Sequence, residues 1–301
     1  MTLRQLAYFV AAHDAGTMAA AAQQLHVSAS AVSRGSTERE RILGTQLLLR
    51  GAHRPLALTP AGRSALGDAR RLLAAARELE STARSDGAEL AGPLHLGCFR
   101  TLAPIHVPRL VAEIAEHHPA IELHVHEASL AELRTALLDG TCELALMYDL
   151  DVADDIEREL VAETRPHVLV AADHPVATCE TVALADLVGE PMVMLDVHPS
   201  RAYFSELLAG LGLEPVVSRT TGSFETLRSL VARGVGWSML IQRPAIDVSY
   251  EDLPLRSVAI ADEIDVMPIV VAWPRGARLT RRAEAVRHRC RSALGITADG
   301  P

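Results

Sequence analysis

The 301-residue sequence predicts an α/β protein in three parts: a winged helix-turn-helix head, one long linker helix, and a two-lobed α/β body. Three observations predict it. Helix caps recur at short intervals over the first sixty residues, at Thr2, Thr17 and Ser28. A heptad seam opens at Thr59-Pro60. Beyond Gly92-Pro93, apolar strand-like runs alternate with capped helices. A chain of this length suits two domains, or three small ones.

Composition narrows the class. Hydrophobic residues make up 49% and charged residues 22%, and mean hydropathy is +0.16, so the chain can bury a sizeable core and is not wholly disordered. No run approaches the ~18 apolar residues that a membrane span needs. The N-terminus lacks a basic segment followed by an apolar one, so the expectation is a cytoplasmic protein. Cys98, Cys142, Cys179 and Cys290 lie apart, with neither CxxC nor Cys/His spacing, which argues against a disulfide framework or a zinc site. All 29 basic residues are Arg, and Asn is missing as well. A GC-rich genome explains both, because Lys and Asn have AT-rich codons. The distribution of charge says more. Residues 1–85 carry 11 Arg against 6 Asp+Glu, and the remainder 18 against 32. A basic head on an acidic body suggests that the head alone meets a polyanion.

Thr2 caps a helix with Leu3, Leu6, Phe9 and Val10 on one face, ending at Gly16. Thr17 caps a second, Met18 to Leu25, whose alanine run allows close helix–helix approach. A tight turn at His26-Val27 leads to Ser28, which caps a third. Two short helices across such a turn form the helix-turn-helix unit. Ser28, Ser30, Ser33 and Arg34 then stand where small polar and Arg side chains can meet phosphates and base edges. Gln46–Arg50, a turn with His53 and Arg54, and Leu56–Leu58 read as a hairpin wing, which makes Arg50, His53 and Arg54 further DNA-binding candidates. A generic small helical domain with solvated arginines would share these features.

Thr59-Pro60 sets an N-cap before Pro at the first helical position. Gly62, Leu66, Ala69, Leu73, Ala76, Glu80 and Ala83 then recur at spacings of four and three, a seam suited to pairing with a second copy. At 1.5 Å per residue the helix is a rod of about 40 Å. Ser85-Asp86-Gly87 and Gly92-Pro93 end it as a hinge.

The segments LRQLAYFVAAHDAGT (3–17), AAQQLHVSASAVSR (21–34), ILGTQLLLR (42–50) and LALTPAG (56–62) resemble the winged helix-turn-helix of LysR-type transcriptional regulators. The resemblance continues through the body. It implies a DNA-binding head, a homodimer through the linker helix, a homotetramer, and a small-molecule effector bound between two lobes. One segment departs from the family pattern. Gly35-Ser36-Thr37-Glu38-Arg39-Glu40 stands where Gln and core apolar residues are usual, and Ala29 where Gln is frequent. Positions 32, 36, 39 and 43 share a helix face, so Ser36 and Arg39 fall on core sites. The third helix is therefore expected to break, fray or kink near Gly35, with the Arg39 head in water, and the head to be the least stable part of the chain.

The body reads as strand Leu94–Cys98, helix 104–117, strand Ile121–His126, helix 129–138 and strand Cys142–Tyr148, an order that implies a parallel sheet. A second unit runs from near Pro166 to Ile241, with strands at 168–171, 192–195, 216–219 and 237–241 and helices at 184–188, 201–211 and 224–233. Strand 268–273 and helix 278–294 return to the first unit. The two lobes resemble the family's effector-binding domain, itself similar to periplasmic binding proteins. The expected boundaries are 1–58 for the head, 59–88 for the linker and 92–301 for the body. Lobe I covers about 92–163 and 268–301, and lobe II about 164–267.

Ligands in such sheets sit at the carboxyl ends of strands. That makes Phe99, Arg100, Thr101, Ser129, Met147, Asp149, Asp196, Ser200, Arg201, Ser223, Phe224 and Glu225 the effector candidates. Thr101 and Ser129 would offer a helix N-terminus to a carboxylate, and the acids with Arg100 and Arg201 would suit an amine or a zwitterion. Each also has a plain reading as a cap or an internal ion pair. His117-His118 and His124-x-His126 lack partners at metal-binding spacing. No cofactor is expected. No nucleophile or phosphate-loop motif stands in the chain, so an enzyme is disfavoured. The alternative is a small-molecule binding module whose head no longer recognises DNA, supported by the Gly35–Arg39 departure alone.

Overall fold

The computed structural model describes residues 1–49, 56–84 and 90–294. The head contains α1 (Leu3–Asp14), α2 (Met18–Gln24) and α3 (Ala29–Leu43). Strands β1 (Leu48–Leu49) and β2 (Ala57–Leu58) pair antiparallel behind them. The three caps are where the sequence puts them: Thr2 forms a capping box with Gln5, Thr17 accepts from Ala20 N, and Ser28 from Ala31 N. Leu6, Phe9, Ala12, Val32, Leu47 and Leu48 form the head's core.

Helix α3 corrects the expectation of a break. It runs unbroken for 15 residues through Gly35, and Ser36 and Arg39 are buried in it. A Cβ at Gly35 would stand 2.6 Å from Tyr8 Cδ2, so glycine is what lets the Tyr8 ring lie against the helix. The Arg39 guanidinium sits 4.1 Å from the centroid of the Phe9 ring and donates to the Gln5 carbonyl at 2.6 Å. Its head is buried, not in water. Glu40 accepts the backbone N–H groups of Leu47 (2.8 Å) and Leu48 (3.0 Å), which anchors the first wing strand.

Helix α4 (Pro60–Arg84) starts at Thr59, whose hydroxyl accepts from Gly62 N at 2.9 Å. Leu66 and Ala69 are buried in the head's own core and Leu73 packs against it, whereas Leu72 and Leu79, which lie off the predicted seam, are 49% and 72% exposed. At Gly67 the helix meets the body: a Cβ there would overlap the Leu138 carbonyl oxygen. Arg70 fixes the junction. It donates to Asp139 Oδ1 (2.9 Å), the Asp139 carbonyl (2.9 Å) and Thr141 Oγ1 (2.6 Å), and it pairs with Asp14 at the end of α1.

The first lobe is built from β3 (Gly92–Phe99), α5 (Ala103–His117), β4 (Ile121–Ala128), α6 (Leu130–Leu138), β5 (Leu144–Tyr148) and β6 (Ile156–Thr164). The second holds β7 (His167–Ala171), β8 (Thr181–Val182), α7 (Leu184–Leu187), β9 (Pro191–Leu195), α8 (Ser200–Gly210), β10 (Val216–Thr221), α9 (Phe224–Ala232), β11 (Ser238–Leu240) and β12 (Leu255–Ile260). Strand β13 (Met267–Pro274) and α10 (Arg281–Leu294) return to the first lobe. The first sheet has the order β4-β3-β5-β13-β6. Strands β4, β3 and β5 run parallel, but β13 is antiparallel to both β5 and β6, so the sheet is mixed rather than parallel as expected. The unforeseen strands β6 and β12 flank the crossovers. Each pairs antiparallel with a strand of its own lobe. Thr164 Oγ1 donates to the Ile241 carbonyl and Arg165 to that of Ile264, which ties the crossovers together. One apolar core runs through both lobes.

Candidate functional sites

The first site is the amino end of α3. Ser28, Ala29, Ser30 and Arg34 are exposed there and Ser33 is half-buried. The Ser28 hydroxyl serves as the N-cap and lies 3.0 Å from Ser30 Oγ. The helix N-terminus and Arg34 thus present a positive end to solvent. Arg50, His53 and Arg54 lie outside the described residues.

The second site is the seam between the lobes. Most of the carboxylates expected there are bound internally. Asp149 pairs with Arg158 at 2.7 Å and Asp196 with Arg201 at 3.2 Å. Glu225 holds the buried Arg228 at 2.9 Å and accepts Tyr250 N. Arg228 in turn donates to the carbonyls of Ile246 and Val248, so this pair pins a loop. Glu225 thus has a structural role in holding that loop. Ser129 likewise has an internal partner. Its hydroxyl and backbone N–H both donate to Glu132, at 2.7 and 2.8 Å, and Arg100 stands 3.8 Å from the same carboxylate. The N-terminus of α6 already holds an anion of its own, and these hydrogen bonds keep the Glu132 carboxyl below its ordinary range. Ser223 caps α9 through Thr226 N, and Phe224 packs on the core.

What the fold does bring between the lobes is a buried polar group. Thr101 Oγ1 lies 3.4 Å from the Tyr148 hydroxyl, and His106 Nε2 lies 3.0 Å from Gln242 Oε1. Gln242 follows β11 in the second lobe, while His106 and Tyr148 belong to the first. The Gln242 amide nitrogen is buried with no acceptor among the described residues. Burial pushes the Tyr148 hydroxyl up and His106 down. Both are neutral hydrogen-bonding groups near pH 7. A cavity of about 170 Å³, lined by none of these four residues, opens between α6 and His198-Pro199. Of the expected residues, Met147 alone lines it. Phe99 is fully buried, edge-on to Tyr148, and Ser200 is buried at the start of α8. Tyr148, His106 and Gln242 were missed from sequence. His106 had a signal: with Leu102, Leu110 and Ile114 it occupies every fourth position on the buried face of α5, so a polar group interrupts an apolar stripe.

A family model described as bacterial regulatory helix-turn-helix protein, lysR family, matches residues 3–63, and one described as LysR substrate binding domain matches residues 87–295. The chain belongs to the LysR family of transcriptional regulators. Its head is the DNA-binding domain and its body the effector-binding domain. It is 34% identical to HinK, a LysR family regulator from Pseudomonas aeruginosa. That crystal structure superposes with a TM-score of 0.66 over 97% of this chain and 98% of the other. It is 30% identical over 252 residues to the transcriptional dual regulator OxyR of Escherichia coli, which covers 83% of this chain and 81% of that protein. CbnR, solved in complex with its target DNA, is 25% identical with a TM-score of 0.57, covering 98% of this chain and 100% of that one.

Some relatives are named hydrogen peroxide-inducible genes activators. In this LysR-type regulator Cys98, Cys142 and Cys290 are buried. Burial holds the Cys98 thiol far above its usual range and pushes Cys142 and Cys290 up to about 12. A thiol so protonated is a poor nucleophile toward peroxide. Cys179 is exposed, on the second lobe.

Proposed function

We propose that this regulator docks α3 in the major groove through Ser28, Ala29, Ser30, Ser33 and Arg34, with the wing residues Arg50, His53 and Arg54 on adjacent phosphates. A small-molecule effector between the lobes, at Thr101, Tyr148, His106 and Gln242, would set the response. The observation that carries the reading is the unbroken α3 with its polar, cationic amino end exposed. The continuity of that helix also removes the support for a head that has lost DNA recognition. The domain division 1–58, 59–88 and 92–301 belongs to the same proposal. So does a homodimer through α4, assembled further into a tetramer, with a non-enzymatic role in the cytoplasm. The buried group favours a ligand with a neutral hydrogen-bonding end, since its members carry no charge near pH 7.

A mobility-shift titration on the intergenic DNA upstream of the chain's own reading frame tests the docking. Affinity should fall steeply with salt, and Arg34→Ala should reduce the log–log salt slope by about 0.9. Unchanged affinity and slope in that variant would sink the docking model.

A further inference from the structure

A cavity of about 460 Å³ lies where α4 meets the first lobe. Part of α4 forms one wall; β3, the turn after α6 and the segment leading into α10 form the other. It shares only Leu137 with the interlobe pocket. Five arginines line it against three acids. Arg70 is taken up by Asp14 and Asp139, and Arg71 by Asp68. Arg77, Arg278 and Arg282 remain. Two acids stand with them: Glu143, which accepts the Thr280 hydroxyl at 2.8 Å and feels the charges of Arg282 and Arg77, and Glu78, which accepts the Arg281 backbone N–H, so the three cations exceed the two acids by one.

Arg282 is the telling residue. It is 3% exposed, donates Nη1 to the Ala91 carbonyl at 3.0 Å, and leaves Nε buried with no acceptor among the described residues. A buried cationic donor without a partner is costly. The Nε is enclosed by protein, so an anion in the cavity would meet the charge of the guanidinium rather than this donor. The field agrees: His95 in the same wall is held below its ordinary range by burial, then by His124, Arg77 and Arg70. Leu73, Ala74 and Leu279 add an apolar stretch to the lining.

We propose that this junction is a second ligand site, separate from the interlobe effector site. It would take an organic carboxylate with an apolar body, its anionic end on Arg282 and Arg77 and its body against Leu73, Ala74 and Leu279. One wall belongs to the linker helix and the other to the effector domain. A ligand touching both favours the arrangement in which they are docked, by an amount set by its concentration over its dissociation constant.

Calorimetric titration of the full chain with sodium phenylacetate and sodium octanoate, against sodium chloride at equal ionic strength, tests this. Saturable binding of at least one is expected. Arg77→Ala, a change at an exposed position, and Ala74→Leu, which fills the cavity, should each weaken it by about tenfold or more. Thr101→Val, in the interlobe site, should leave it unchanged. The site is overturned if neither acid binds beyond the chloride control. It is equally overturned if Thr101→Val weakens binding while Arg77→Ala and Ala74→Leu do not, which places the anion between the lobes.

Discussion

Arg39 shows how a charged residue can occupy a core position. Its stem fills the space that an aliphatic side chain would fill, and its head finds a ring face and a carbonyl. Removing the side chain leaves a cavity and deletes the ring contact, so Arg39→Ala should cost about 3 kcal/mol of head stability by denaturant unfolding. Arg39→Met keeps most of the volume without a charge to desolvate and should stay within about 1 kcal/mol of the parent. Equal losses in the two would mean that the guanidinium, not its volume, carries the stability. Gly35 has a partner of its own. In the parent, Gly35→Ala forces Tyr8 away. In a Tyr8→Ala background the same change should gain the helix propensity of alanine, about 1 kcal/mol. A Gly35→Ala effect of the same sign and size in both backgrounds would show that Tyr8 plays no part. The spacing that put positions 36 and 39 on the buried face was legible in the sequence. The Phe9 ring and the Gln5 carbonyl that accept a guanidinium there were not, because they lie on another helix.

At the scale of elements, the caps, α4 and most strands and helices, though not β6, β8 or β12, could be read from one sequence because each rests on local chemistry. Strand direction in the first sheet could not. Strand β13 enters next to β5 after 118 intervening residues, from Asp149 to Val266, and its hydrogen bonds carry no local mark. The α4 seam was legible as a period but not as a set of partners. Leu66 and Ala69 face the chain's own α1 and wing, so among the described residues of α4 the leucines exposed to another molecule are Leu72 and Leu79, seven residues apart. Leu79→Asp should therefore dissociate the proposed dimer in sedimentation while leaving the head folded. Leu66→Asp should unfold the head, because it buries an unpaired charge. A Leu79→Asp chain of unaltered sedimentation would exclude α4 as the pairing surface.

At the scale of the whole molecule, the buried titratable groups set how the body responds to acid. His167 in β7 is buried, and its pKa is lowered from 6.5 to about 3, by burial first and then by the Arg243 and Arg228 cations. His106 and His95 are shifted the same way. A histidine whose folded pKa is depressed stays neutral in the native state, while the unfolded chain takes up a proton. Stability is therefore full above 6.5 and falls as pH drops from there toward 3. Glu143, pushed above 4.5 by burial, works in the opposite sense just above that value, because the folded state then holds the proton more tightly. His118 is lowered as well, so one carboxyl opposes four histidines and the net slope above 4.5 follows the histidines. The melting temperature should thus decline on acidification from about pH 7.5 to about pH 5.5. His167→Gln has no proton to gain and should flatten that decline. It isolates the buried histidine from the surface carboxylates, which titrate lower. A decline of the same size in parent and variant would place the acid sensitivity elsewhere than β7.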